Sequence, residues 1–253
     1  MAFERVEIGP CRLIRGDSLS LLDTIECDVV LTDPPYGVEL RNGNGNLDAR
    51  RGGTDRSFSV VGDSDQTVGQ FVLDWAERHD LPTITFASPW KPWPGYWRNL
   101  IAWDKGGAVG GGGDIRTCLK RSWELIQAAR TGFLMDGRNE SVVRFAMIGT
   151  DTAEHICAKP VELMEWLLQQ FVPRGSVVFD PFMGRAASGV ACIRRDCRFI
   201  GCEIDREHFE GACRRLETAW QLKRSELPFD KPEQMVQSDL FTESSLDAQR
   251  ATE

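Results

Sequence analysis

No apolar run in this chain of 253 residues approaches the roughly eighteen residues that a membrane-spanning helix requires, so no membrane association is expected. The opening MAFERVEIGP has neither the basic nor the apolar region of a secretory signal, and a cytoplasmic protein is predicted. Eight cysteines are present, but none forms a CxxC pair and no Cys/His cluster has zinc-ligand spacing. That argues against a zinc module and predicts reduced thiols in the core, with no metal. The GxGxxG fingerprint is missing, which speaks against a dinucleotide-binding oxidoreductase. No internal repeat is visible either.

The composition is that of an ordinary globular protein, 42% apolar and 27% charged, and the length suits one well-buried core with an insertion. A net charge of −8 would disfavour a nucleic-acid partner if it were evenly spread. It is not: from Ser225 to Glu253 seven acids face two bases, whereas between Phe86 and Thr150 nine Lys/Arg face five Asp/Glu. The middle of the chain is therefore basic, which leaves a nucleic-acid partner open.

Short apolar runs ending in acids or turns read as buried strands: CRLIRGD (11–17), CDVVLTD (27–33), LPTITFA (81–87), NLIAWDK (99–105), SVVFD (176–180) and RFIGCEI (198–204). Helical periodicity appears in VELMEWLLQQFV, preceded by Pro160, and in EHFEGACRRLETAW, where Phe209, Ala212, Leu216 and Ala219 share one face. Strands alternating with helices predict an α/β fold with a mostly parallel, doubly wound sheet. One folded domain is expected over residues 1–227. Residues 37–65, rich in Gly, Asn, Asp and Arg, read as a mobile loop, and 228–253 as an acidic, disordered tail.

Two segments carry chemistry. Asp33-Pro34-Pro35-Tyr36 follows the strand CDVVLT directly, and the carboxyl end of a strand is where open α/β sheets bind ligands. Two prolines stiffen the exit, so the turn can present the Asp33 carboxylate and a Pro34 carbonyl side by side as acceptors, with the Tyr36 ring as a stacking surface. Such a set suits a planar ring bearing an NH2 group; the plainer alternative is an ordinary Asp-Pro turn. The second segment, VVFDPFMG (177–184) followed by RAASG, is a strand, a tight turn of small residues and a helix, which lets backbone approach a nucleotide-like cofactor. Glu203 lies nineteen residues beyond Gly184 at the end of the next strand, where an acid can accept hydrogen bonds from ribose hydroxyls.

DPPY together with DPFMG, and a HxxxKP segment from His155 to Pro160, resembles the exocyclic-amine (N6-adenine or N4-cytosine) DNA methyltransferases. With DPPY before DPFMG and a basic insert between them, the order is similar to the beta class of that family, over about residues 11–222. The resemblance implies a Rossmann-like S-adenosylmethionine-dependent methyltransferase fold with an inserted target-recognition region at about 106–150. It implies that Asp180, Pro181, Phe182, Gly184 and Glu203 bind S-adenosylmethionine, that Asp17 contacts its adenine, and that Lys159 and the helix after it close the cofactor pocket. Asp33, Pro34, Pro35 and Tyr36 would hold a flipped base in double-stranded DNA, adenine being favoured by DPPY. The family usually has DPFxGxGT, and here Ala186 and Ala187 replace its second Gly and its Thr.

The remaining candidates carry two readings each. Arg41, Arg50, Arg51, Arg116, Lys120 and Arg121 would touch DNA phosphates or merely keep loops soluble. Trp90, Trp93 and Trp97 would stack on bases or anchor a proline-rich loop, with packing favoured. His155 reads as structural rather than as a base. In the tail, Gln237, Leu240 and Phe241 are similar to the short peptides that bind the bacterial sliding clamp, and a chance match is the alternative. A catalytically silent nucleic-acid-binding protein and an RNA or N4-cytosine methyltransferase are the rivals in function; homodimerisation is left open.

Overall fold

A computed structural model describes residues 3–35, 66–106, 119, 122–132, 139–146 and 159–226. Nine strands form one sheet: β1 (Glu4–Ile8), β2 (Cys11–Arg15), β3 (Val29–Thr32), β4 (Thr83–Ala87), β5 (Asn99–Asp104), β6 (Trp123–Ala129), β7 (Val142–Arg144), β8 (Val177–Asp180) and β9 (Arg198–Glu203). Their spatial order is β1-β2-β9-β8-β3-β4-β6-β5-β7. The five central strands, β2 through β4, are mutually parallel, while β1 and β6 pair antiparallel with their neighbours.

The central strands are apolar on both faces because both are covered. On one face α2 (Val161–Phe171), α3 (Ala187–Arg194) and α4 (Arg206–Glu226) set Leu163, Leu167, Val190, Ile193 and Leu216 against Leu13, Leu31, Val178 and Phe199. On the other, α1 (Thr67–Arg78) sets Val72, Trp75 and Ala76 against Val30, Phe179 and Ile200, and two single-turn 3-10 helices after β2 add Leu21 and Leu22. Truncating Leu163 or Leu167 to Ala, both fully buried, would cost about 2–5 kcal/mol. Cys11, Cys192, Cys197 and Cys202 are buried free thiols, and burial raises their pKa values. Among the described residues no helix is long and apolar enough to cross a membrane.

All six expected strands are present, and so are the three expected helices, α2, α3 and α4. β1, β6, β7 and α1 were not foreseen. Within the span of about 106–150, expected as an inserted recognition region, β6 lies in the sheet between β4 and β5, and β7 pairs with β5. β6 hides its strand character because WELIQAA mixes one charged, one amide-bearing and two small residues with its apolar ones. Its Gln127 is buried, and bonds to backbone atoms of Trp93 satisfy it.

Chain direction reverses its march between β8 and β3: β3 leads through α1 to β4 on one side, β8 through α3 to β9 on the other. A crevice at the carboxyl ends of those strands is where such sheets bind ligands.

Candidate active site at the carboxyl edge of the sheet

β8 delivers Asp180 into this crevice, and only 3% of the residue is exposed. Its Oδ2 accepts a hydrogen bond from Ser188 Oγ at 2.6 Å; Oδ1 accepts from Thr32 Oγ1 at 3.0 Å and from the Phe182 N–H at 3.1 Å. Burial pushes the carboxyl up to about 7 against the pull of those three donors. The sequence reading gave this carboxylate to the cofactor. In the structure it faces inward, ties the DPFMG turn to Thr32 at the end of β3, and so fixes the spacing between the two motifs.

The turn itself is shaped by backbone. Pro181 is buried and Phe182 half-buried; Gly184 has φ +51°, and a Cβ built on it would meet no protein atom within 4 Å. That open space lets a ligand approach main chain directly. Gly184 N–H donates to Glu203 Oε2 at 3.0 Å, and Asp205 N–H donates to Glu203 Oε1 at 2.8 Å. Burial raises the Glu203 carboxyl although both backbone donors act the other way. Each oxygen keeps capacity for a further donor. Ala186, which starts α3, is buried in the left-handed region (φ 55°, ψ 47°), where a residue with a Cβ is strained by about 1–2 kcal/mol. The glycine usual at this place in the family would relieve that strain. Next along the edge, Gly16 N–H binds the Glu203 carbonyl at 2.9 Å, which sets Asp17 beside Glu203. Asp17 is exposed, and its Oδ1 caps the following 3-10 turn through Leu19 N–H at 3.0 Å. The open cradle at Gly184, flanked by the carboxylates of Glu203 and Asp17, fits an adenosyl cofactor whose ribose and base offer hydrogen-bond donors.

Across the switch point, Asp33 leaves β3 followed by the buried Pro34, on which the α1 backbone packs: a Cβ at Gly69 would lie 3.0 Å from Pro34 Cβ. Asp33 Oδ2 pairs with Lys159 Nζ at 2.7 Å, and Lys159 pairs in turn with Glu124 Oε2 at 3.1 Å. Glu124 Oε1 also meets Lys105. Burial, the largest influence on Lys159, favours its neutral form, but the Asp33 and Glu124 carboxylates outweigh it and hold the ammonium above its ordinary value. Burial likewise opposes ionisation of Glu124, and Lys159 and Lys105 together outweigh it. Lys159, expected to close the cofactor pocket, has its ammonium on Asp33 across the crevice from the Gly184 turn. Glu124 and Lys105 were missed, Glu124 because the strand that carries it was not foreseen.

Of the tryptophans proposed for stacking, Trp93 is core: its Nε1 donates to the Phe86 carbonyl at 2.8 Å, and its N–H to Gln127 Oε1 at 2.8 Å. Trp97 Nε1 donates to the Trp93 carbonyl, whereas Trp90 is exposed. Tyr36, Arg41, Arg50, Arg51, Arg116, Lys120, Arg121, His155, Gln237, Leu240 and Phe241 lie outside the described residues, as do the segments 37–65 and 228–253.

A sequence model of the DNA methylase family matches residues 95–214. YubD of Escherichia coli strain K12 is 25% identical over 225 residues, covering 81% of this chain and 89% of that protein. The DNA adenine methyltransferase YhdJ of the same organism is 32% identical over 85 residues, or 34% of this chain and 28% of YhdJ. Three of the curated relatives are matched over less than a third of their own length. Two solved structures share the fold. The M1.HpyAVI–SAM complex (TM-score 0.56, 18% identity) matches over 81% of this chain and 98% of its own. The cytosine-N4-specific PvuII DNA methyltransferase (TM-score 0.57, 12% identity) matches over 86% and 94%. Switch-point crevice, DPFMG cradle and DPP turn together define the Rossmann-like fold of S-adenosylmethionine-dependent methyltransferases. Within that class, residues 95–214 of the chain are similar to the DNA methylases.

Proposed function

We propose that this protein transfers a methyl group from S-adenosylmethionine to the exocyclic N6 amine of adenine in double-stranded DNA. The observation that carries the proposal is the adjacency of the Asp33-Pro34 acceptor turn and the Gly184–Glu203 cradle at neighbouring strand ends, coupled by the Thr32–Asp180 hydrogen bond. When bound, the cofactor supplies an electrophilic methyl group on a sulfonium. The amine is a weak nucleophile because its lone pair is delocalised into the ring. Asp33 and the Pro34 carbonyl accept its N–H hydrogens, localise the lone pair and aim it, so the enzyme contributes orientation and electrostatics. An amine inside a duplex is out of reach, so the base is flipped into the crevice, at a cost of a few kcal/mol, with Tyr36 stacking on it. DPPY and the likeness to YhdJ support adenine over cytosine.

The test incubates purified protein with S-adenosylmethionine and unmethylated genomic DNA, digests the DNA to nucleosides and identifies the product by mass spectrometry. N6-methyladenine is expected; N4-methylcytosine would overturn the choice of base, and no methylated nucleoside would overturn the activity. Asp33→Ala should lower the rate at least about 100-fold, the scale of losing a preorganised transition-state contact. Cofactor affinity, read by calorimetry, should stay within a few-fold.

A further inference from the structure

Four charged side chains from distant parts of the chain form an alternating row at the catalytic edge: Lys105 after β5, Glu124 in β6, Lys159 before α2 and Asp33 after β3. We propose that Lys159, held in place by Glu124, is a positioning residue that fixes the Asp33 carboxylate in its base-gripping orientation. The inference rests on the reading of Asp33 as the acceptor for the target amine.

Side-chain exposure is 13% at Lys105, 17% at Glu124 and 10% at Lys159, and rises to 28% at Asp33. Three members are thus withdrawn from water and the fourth opens onto the crevice. A withdrawn charge is costly unless opposite charge stands beside it, and in this row each withdrawn charge has one. The row sums to zero, so Lys159 need not shed its proton to be buried. Its Nζ lies 5.0 Å from the centre of the Phe86 ring and 5.9 Å from that of Trp103, an aromatic wall that keeps the ammonium from swinging toward solvent. A carboxylate just past a strand end would otherwise turn about its side-chain torsions. The 2.7 Å contact to a walled-in ammonium removes that freedom. Lys159 as a full cation has no lone pair to accept a proton, so its action on the reaction passes through Asp33.

The test uses the full-length protein, tritium-labelled S-adenosylmethionine and unmethylated genomic DNA, with cofactor affinity measured by calorimetry. Lys159→Met is expected to lower kcat at least 100-fold while the cofactor dissociation constant stays within threefold. Glu124→Gln is expected to lower kcat about tenfold, again with unchanged cofactor binding. Because Glu124 acts through Lys159, the double variant Lys159→Met/Glu124→Gln should lose no more than Lys159→Met alone. It conserves net charge, while Asp33 and Lys105 each lose the partner they had in the row. If Lys159→Met does not fold, the double variant takes its place and must still lose at least 100-fold in kcat. A tenfold or greater weakening of cofactor binding with kcat within threefold would make Lys159 a cofactor ligand and overturn the proposal. Losses that multiply in the double variant would overturn the link from Glu124 to Lys159. Activity in wild type but not in Asp33→Ala keeps the functional reading intact whichever way the Lys159 result falls; an inactive wild type overturns both.

Discussion

The two halves of the crevice are built by different means. On the cofactor side, one stretch from β8 to the start of α4 supplies nearly everything: the Asp180 turn, the Gly184 cradle and the Glu203 carboxylate, joined by hydrogen bonds to backbone N–H groups two to nineteen residues away. On the catalytic side Asp33, Lys105, Glu124 and Lys159 come from four elements and meet through ion pairs between side chains. A site made from backbone tolerates sequence change as long as the turn survives. A site made from buried charges depends on every member, since removing one strands another.

That contrast can be broken at its strained point first. Ala186→Val puts a β-branched residue at a buried left-handed position, where the added bulk and strain should destabilise the fold by about 3 kcal/mol or more. Chemical denaturation would measure it, and a loss under 1 kcal/mol would mean that the turn relaxes. Glu203→Ala should weaken cofactor binding by about 1.5–3 kcal/mol, the scale of hydrogen bonds to a charged group. An unchanged dissociation constant would move the ribose contact elsewhere.

Asp180 sharpens the comparison, because this buried carboxylate is held by three uncharged donors and by no cation among them. With its carboxyl raised to about 7, the folded protein holds a proton that the unfolded chain has released above about pH 4. Stability therefore falls as pH rises from about 4 to 7 and levels off above. Asp180→Asn keeps the shape and lacks the charge, so thermal melts between pH 5 and 7 should lose about 2 kcal/mol of this slope. An identical slope in the variant would assign the titration to another group. The smallest effect is expected for Ala186→Gly: relief of about 1–2 kcal/mol of strain is offset by a lost buried methyl and by the freer unfolded chain. Net stability should stay within about 1 kcal/mol of wild type.

The geometry of the Gly184–Glu203 turn was legible in the sequence because its signals are local: a strand, a small-residue turn and an acid one strand further on fall within thirty or so residues, at spacings set by the βα unit itself. So was the place of Asp33, since a strand followed by Pro-Pro can end only in a stiff turn. What escaped was β6, where neither period nor propensity marks WELIQAA, and with it Glu124. Lys159 stood out in the sequence, but its pairing with Asp33 and Glu124 did not.

By itself the sequence determined the parallel core strands, the two motifs and the order in which the chain visits them, because apolar runs and turn residues act over a few positions. Only the tertiary structure decided that Asp180 looks inward while Glu203 looks outward, and that Lys105, Glu124 and Lys159 line up on Asp33. Ion pairing between residues from separate elements leaves no pattern along one chain; it exists only once the fold has brought four positions at the carboxyl edge together.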